Sequence, residues 1–174
     1  MTLNELAYDR TGNHDHESAE SERSAWLKNP RFTLAFGLVS EGFSVIPLCR
    51  DGKRPTRKWK QYQYRQPTAA EMVEWFVDND FCPAIVTGEI SGITVIDCDS
   101  IDAIEAMLAA GTESRLTQST KRGRHFIFRH SGERNTVRVN GIQGVDRRGE
   151  GGYVKAYPDS GNWTREDVLL SPTL

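Results

Sequence analysis

Hydrophobic positions recur with helical spacing early in the chain and with strand spacing further on. Phe32, Ala35, Phe36 and Val39 form a stripe that predicts a helix. It opens at Asn29-Pro30, where proline suits the first helical position, and ends at Gly42. Residues 43–48 follow as a short apolar strand, and 50–65 as a loop containing Pro55. Thr68 and Glu71 are spaced as a capping box, and Met72, Trp75 and Phe76 supply the buried face of the helix it opens. Residues 84–87 and 93–99 read as strands around a turn at 88–92, and Ser100 caps a helix over 101–110 that stops at Gly111. Five further strands are predicted at 116–119, 125–129, 137–139, 142–146 and 152–157, with Asn140-Gly141 among the turns between them. Helices and strands mix without an internal repeat, which predicts an α+β (mixed α/β) domain.

Residues 1–24 show neither period. They hold six acids and two bases and are rich in Ser and His, so they read as a flexible acidic tail, with 25–174 as a single domain. His14-Asp15-His16 belongs to that solvated tail rather than to a metal pair. With 174 residues the chain is long enough for one sizeable core. No apolar run approaches the roughly 18 residues of a membrane helix, and the first residues lack the basic and then apolar stretch of a signal peptide. Cys49, Cys82 and Cys98 are odd in number and far apart, which argues against a disulfide framework and a zinc site and fits a reduced, cytoplasmic compartment.

Charge changes the picture more than composition does. The chain carries −2 overall, but residues 50–65 hold seven bases to one acid and 121–148 eight to two. Two such excesses point to a basic groove for a polyanion or to solvated loop charge.

The most informative stretch is Ile93-Thr94-Val95-Ile96-Asp97-Cys98-Asp99. On a strand, Asp97 and Asp99 face one side and Cys98 the other. Two carboxylates so close repel unless a cation lies between them, and hard oxygen ligands favour Mg²⁺ or Mn²⁺. The alternative is a strand end with Asp99 capping the next helix. Asp146 ends another predicted strand. If the two strands are neighbours it joins the pair, and three acids suit two divalent ions in phosphoryl transfer; otherwise it is a turn acid paired with an adjacent arginine. His125 opens a strand on which Phe126 and Phe128 face the core and His125 the other side. Beside Lys121, Arg122 and Arg124 it suits triphosphate oxygens, or else it is an exposed hairpin histidine, and Gly123 allows close backbone approach.

In order, these segments resemble a known family. Gly42-Phe43-Ser44-Val45-Ile46-Pro47-Leu48 with Gly52-Lys53-x-Pro55, then Val86-Thr87-Gly88 through Asp97-Cys98-Asp99, then Gly123-Arg124-His125-Phe126-Ile127-Phe128, then Val145-Asp146-Arg147-Arg148-Gly149-Glu150-Gly151-Gly152-Tyr153-Val154, are similar to the motifs of the bifunctional primase–polymerase (prim-pol) domain of the archaeo-eukaryotic primase superfamily, found in plasmid and phage replication proteins. The resemblance runs from about residue 32 to 158. Arg122 stands where family members often have glycine, and the cysteines of a zinc-binding insertion seen in some relatives are missing.

The resemblance implies an RRM-like catalytic sheet with a small N-terminal α/β unit. It implies Asp97, Asp99 and Asp146 as ligands of two Mg²⁺ or Mn²⁺ ions. His125 is implied on the phosphates of the incoming nucleotide, with Lys121 and Arg124 as helpers and Arg148 and Lys53 as further nucleotide-binding residues. Its substrates would be nucleoside triphosphates and a single-stranded DNA template, and its activity DNA primase/polymerase nucleotidyl transfer in replication priming. Many relatives continue into a helical domain and often a helicase, so such a unit is an implied partner, with this chain the N-terminal part of a longer replication protein. Two other readings of the same residues are a catalytically silent module that binds single-stranded nucleic acid or nucleotide, and a metal-dependent nuclease or nicking initiator.

Overall fold

The structure, a computed structural model, describes residues 16–174. It begins with a helix, α1 (His16–Leu27), where the sequence predicts tail through residue 24. The segment is built of helix formers such as Glu and Ala without an apolar stripe, so periodicity cannot find it. Its anchor is Trp26, buried with its ring 6.0 Å from that of Phe32. The rest of the predicted tail, with His14 and Asp15, lies outside the described residues. In α2 (Pro30–Ser40) the Asn29 side chain accepts from the N–H groups of Arg31 and Phe32, at 2.9 and 3.2 Å. Phe32, Ala35, Leu38 and Val39 form its buried face, and Gly42, at φ +90°, turns the chain out of the helix.

Two antiparallel sheets follow. The smaller has the order β1 (Val45–Leu48), β2 (Cys82–Val86), β7 (Tyr153–Lys155). The larger has the order β4 (Leu116–Ser119), β5 (Arg124–Arg129), β3 (Ile93–Cys98), β6 (Val145–Arg148). Helix α4 (Ile101–Ala109) joins β3 to β4, and this β–α–β–β connectivity with β3 and β5 central is that of an RRM-like sheet. The smaller unit is not wholly N-terminal, because β7 comes from the far end of the chain to complete it. The predicted strand at 137–139 is absent: Arg138 and Asn140 both have φ of +53°, which breaks a strand, and Val139–Gly141 form a 3₁₀ turn. The next strand starts three residues later than expected, at Val145.

One hydrophobic core lies between the helices, the smaller sheet and one face of the larger; a second lies under α4. Ile93, Val95 and Ile127 point to the first, and Ile96, Cys98, Phe126, Phe128 and Val145 to the second. α3 (Ala69–Val73) has the expected Thr68–Glu71 capping box and runs into a π-helical turn, Glu74–Asp78. Trp75, fully buried there, meets Tyr62 and Phe76 edge-on. The basic segment 50–65 is pinned over this cluster. Ser44 Oγ donates to the Tyr62 carbonyl at 2.7 Å, Tyr62 donates its hydroxyl to Glu71 at 2.7 Å, and both Arg65 guanidinium arms reach Glu71 at 2.8 Å.

Burial by itself would raise the Glu71 carboxyl, but Arg65, the Thr68 N–H and the Tyr62 hydroxyl outweigh it and hold it at about 2. A carboxyl lowered in the folded state stabilises it above the ordinary value near 4.5, and that stabilisation is lost as pH falls toward about 2. Substituting Glu71→Gln is therefore expected to cost on the order of 2 kcal/mol at pH 7 and little at pH 2, as measured by urea unfolding across that range.

Candidate active site

Strand register builds the site. β3 buries its apolar residues on both faces up to Cys98, so Asp97 is the carboxylate that emerges on the side of the main core where that core ends. Its partner on β5 is His125, and on β6 Asp146; His125 in turn pairs with Gln118 on β4. Directly paired residues share a face with Cβ atoms about 5 Å apart. Gln118, His125, Asp97 and Asp146 therefore form one polar row across all four strands. Asp99 follows the end of β3 with its N–H held by the Gly144 carbonyl at 2.8 Å. It does not cap α4; Ser100 does.

Two members of the row, Asp97 and His125, line a cleft of about 300 Å³, within the range of small-molecule sites; Gln118 and Asp146 stand behind its lining, Asp146 against Arg148. Asp97, Asp99, His125 and Arg148 line it from the larger sheet, and Tyr153 and Lys155 from β7; Tyr157 and Lys53 complete that side. His125 is buried, 4% exposed, so the exposed-hairpin reading fails. Its Nε2 lies 3.2 Å from Asp97 Oδ1 and its Nδ1 3.1 Å from Gln118 Oε1. The Gln118 amide donates to Ser160 Oγ, which leaves its carbonyl oxygen toward the His125 ring. The Tyr157 ring packs edge-on at 6.0 Å against His125. Burial, then the Asp97 charge, pushes the Tyr157 hydroxyl up, against a hydrogen bond from the Lys121 backbone.

Arg148 donates to Asp146 Oδ2 at 2.7 Å, and the Arg138 N–H donates to the other oxygen at 3.2 Å. Asp146 is thus both the neighbour of the pair and the partner of an arginine. Lys121 and Arg124 do not line the cleft. Arg124 alternates to the opposite face, its guanidinium 5.9 Å from the Phe126 ring centre, and Lys121 is exposed. Gly123 permits a close approach, but to the protein itself: a Cβ there would lie 1.7 Å from the Cys98 carbonyl oxygen. The excess of bases in 50–65 is also smaller than its count, because Arg57 and Arg65 are paired with Glu74 and Glu71.

Among the described residues no three His, Cys, Asp or Glu side chains are gathered as a ready ligand set. The chemistry of the acids nevertheless fits a divalent cation. Burial, then the charges of Asp97 and Asp146, raises the Asp99 carboxyl, which is the mark of carboxylates short of positive charge. Oxygen donors alone suit Mg²⁺ or Mn²⁺. The same burial and the two flanking acids push the Cys98 thiol up to about 11, so it is an inert core residue.

Gln118, Thr120, Asn135, Lys155 and Tyr157 escape a reading of motifs. The strand alternation Tyr153-x-Lys155-x-Tyr157 is the available signal for the last two. Replacing Gln118→Leu is expected to cost about 1–3 kcal/mol and to release the His125 Nδ1 proton to fast exchange, read from the ring ¹⁵N–¹H signals.

A family model described as Prim-Pol, bifunctional DNA primase/polymerase, N-terminal, matches residues 35–169. No curated protein matches the chain. Among the described residues no helix is long and apolar enough to cross a membrane.

Proposed function

The chain belongs to the Prim-Pol family of bifunctional DNA primase/polymerase N-terminal domains, and from that premise we propose that residues 25–174 are a nucleotidyltransferase core. It extends a 3′-hydroxyl on a single-stranded DNA template with nucleoside triphosphates, in replication priming. The observation that carries this reading is the polar row across the larger sheet, where Asp97 stands in register between His125 and Asp146.

In the proposed reaction the 3′-oxygen attacks the α-phosphorus, a new P–O bond forms, and pyrophosphate leaves. Asp97, Asp99 and Asp146 would hold Mg²⁺ or Mn²⁺, which neutralises charge on the phosphates and lowers the pKa of the attacking hydroxyl. His125 is held by Gln118 and Asp97 and walled by Tyr157, so the ring that lines the cleft is already fixed in place and loses little freedom when a phosphate binds beside it. Arg148 lines the cleft next to that row and supplies a charge-assisted donor, as does Lys53. The smaller sheet forms the other side of the cleft through Tyr153 and Lys155.

Incorporation on a single-stranded template, with and without an annealed primer and in Mg²⁺ or Mn²⁺, tests the proposal. Both Asp97→Ala and Asp146→Ala are expected to lose at least roughly 100-fold in rate while keeping the parent's melting temperature within a few degrees. Full incorporation by Asp97→Ala would overturn it. Nucleotide binding without any product would favour a silent binding module, and strand cleavage a nuclease.

A further inference from the structure

The carboxylates occupy one end of the cleft; the other is cationic, and of its two lysines Lys53 belongs to the Gly52-Lys53-x-Pro55 motif while Lys155 belongs to none. Lys155 shares the face of Tyr153 on β7, while Val154 between them is buried in the main core. Its ammonium lies 5.2 Å from the centre of the Tyr157 ring. Its side chain also lies against the backbone at Gly52: a Cβ there would meet Nζ at 2.6 Å and Cε at 2.8 Å. Gly52 has φ +71°, so the loop before Lys53 and the lysine on β7 are fitted to one another. Contacts therefore run in order along the cleft from Asp97 to His125, Tyr157, Lys155 and the Gly52–Lys53 loop.

Neither lysine has a carboxylate within 4 Å among the described residues. The nearby Asp51 accepts instead from the Lys53 backbone N–H, at 3.0 Å. Arg148, the other cation of the cleft, shares its charge with Asp146. Two unpaired ammonium groups lining one concave surface form a site for an anion with several charges, and lysine serves phosphate as a point charge without the planar match arginine needs.

We propose that Lys155, together with Lys53, holds the distal phosphates of the nucleoside triphosphate, so that β7 and not only the larger sheet selects triphosphate over monophosphate. This rests on the proposed nucleotidyl transfer for the identity of the substrate, but the site itself is an anion site that acts without metal or template. A triphosphate with its reacting phosphorus at the carboxylate end runs past His125 and ends at the lysines.

Calorimetric titration of the full chain in EDTA, with inorganic tripolyphosphate and separately with orthophosphate, tests it. Tripolyphosphate is expected to bind at least tenfold more tightly than orthophosphate, and Lys155→Met and Lys53→Met each to weaken it about tenfold. Lys155→Arg is expected to restore most of the affinity. Lys28→Met, at an exposed position remote in sequence from the cleft, should leave it unchanged. Circular dichroism melting of Lys155→Met checks that the fold is kept. Equal tripolyphosphate affinity in the parent and Lys155→Met, equal affinity for the two anions, or the same loss in Lys28→Met would overturn the proposal. A lysine-dependent tripolyphosphate site in a chain that incorporates no nucleotide would sink the polymerase reading and leave the site standing. Incorporation with an unchanged nucleotide KM in Lys155→Met would do the reverse.

Discussion

The pairing of β3 with β5 on one side and β6 on the other sets the position of Asp97, His125, Asp146 and Arg148. Asp97 has His125 and Asp146 as its two cross-strand partners, and Gln118 stands beyond His125. That register is held by burial on both faces. Ile127 and Val95 form the adjoining row on the cleft side and sink into the main core, while Ile96, Cys98 and Phe126 sink under α4 on the other. A slip of one residue would turn Asp97 into the second core and bring Ile96 to the cleft, at a cost of several kcal/mol for the buried charge and the exposed apolar surface. The polar row is thus pinned by hydrophobic packing next to it rather than by its own contacts.

The cleft has opposite charge at its two ends, and different parts of the fold supply them. The larger sheet brings the acids, where burial and then the charges of Asp97 and Asp146 raise Asp99. The smaller sheet, with the 50–65 segment, brings lysines short of an anion. His125 and Tyr157 sit between, one ring edge-on to the other, tied through Gln118 and Ser160 to the turn that follows β7. On the proposed reading, a triphosphate with its divalent cations would satisfy both ends at once, which neither a simple anion nor a simple cation would do.

Close backbone approaches hold the walls together. Gly123 lets the β4–β5 turn lie on the Cys98 carbonyl, so the turn braces the end of β3 and lines the cleft with Thr120 rather than with Lys121 or Arg122. The basic segment is braced as well: Glu71 gathers Arg65, Tyr62 and the Thr68 N–H into one partly buried network. Charges that look like a free basic surface when counted along the chain are in part structural once their partners are in place.

Local signals carried most of the elements. The Asn29-Pro30 start of α2, the Thr68–Glu71 box, the Ser100 cap and the apolar run ending in Asp97 each depend on residues within a few positions of one another, and each forms as the sequence alone leads one to expect. That Asp97 faces away from Cys98, and His125 away from Phe126 and Phe128, follows from strand alternation; that the two share one face follows only from the pairing of β3 with β5. The helix from His16 was illegible because it has no apolar stripe. The strand at 137–139 failed because Arg138 adopts left-handed backbone that its residue type does not announce, directly before the turn at Asn140-Gly141. What only the tertiary structure decided is which separate segments meet: that Asp146 lies beside Asp97 yet gives one oxygen to Arg148, that Gln118 orients His125, and that Lys155 from β7 reaches the Gly52–Lys53 loop. Those contacts depend on sheet order and register, which arise from packing between residues far apart in sequence and leave no period or motif in the chain itself.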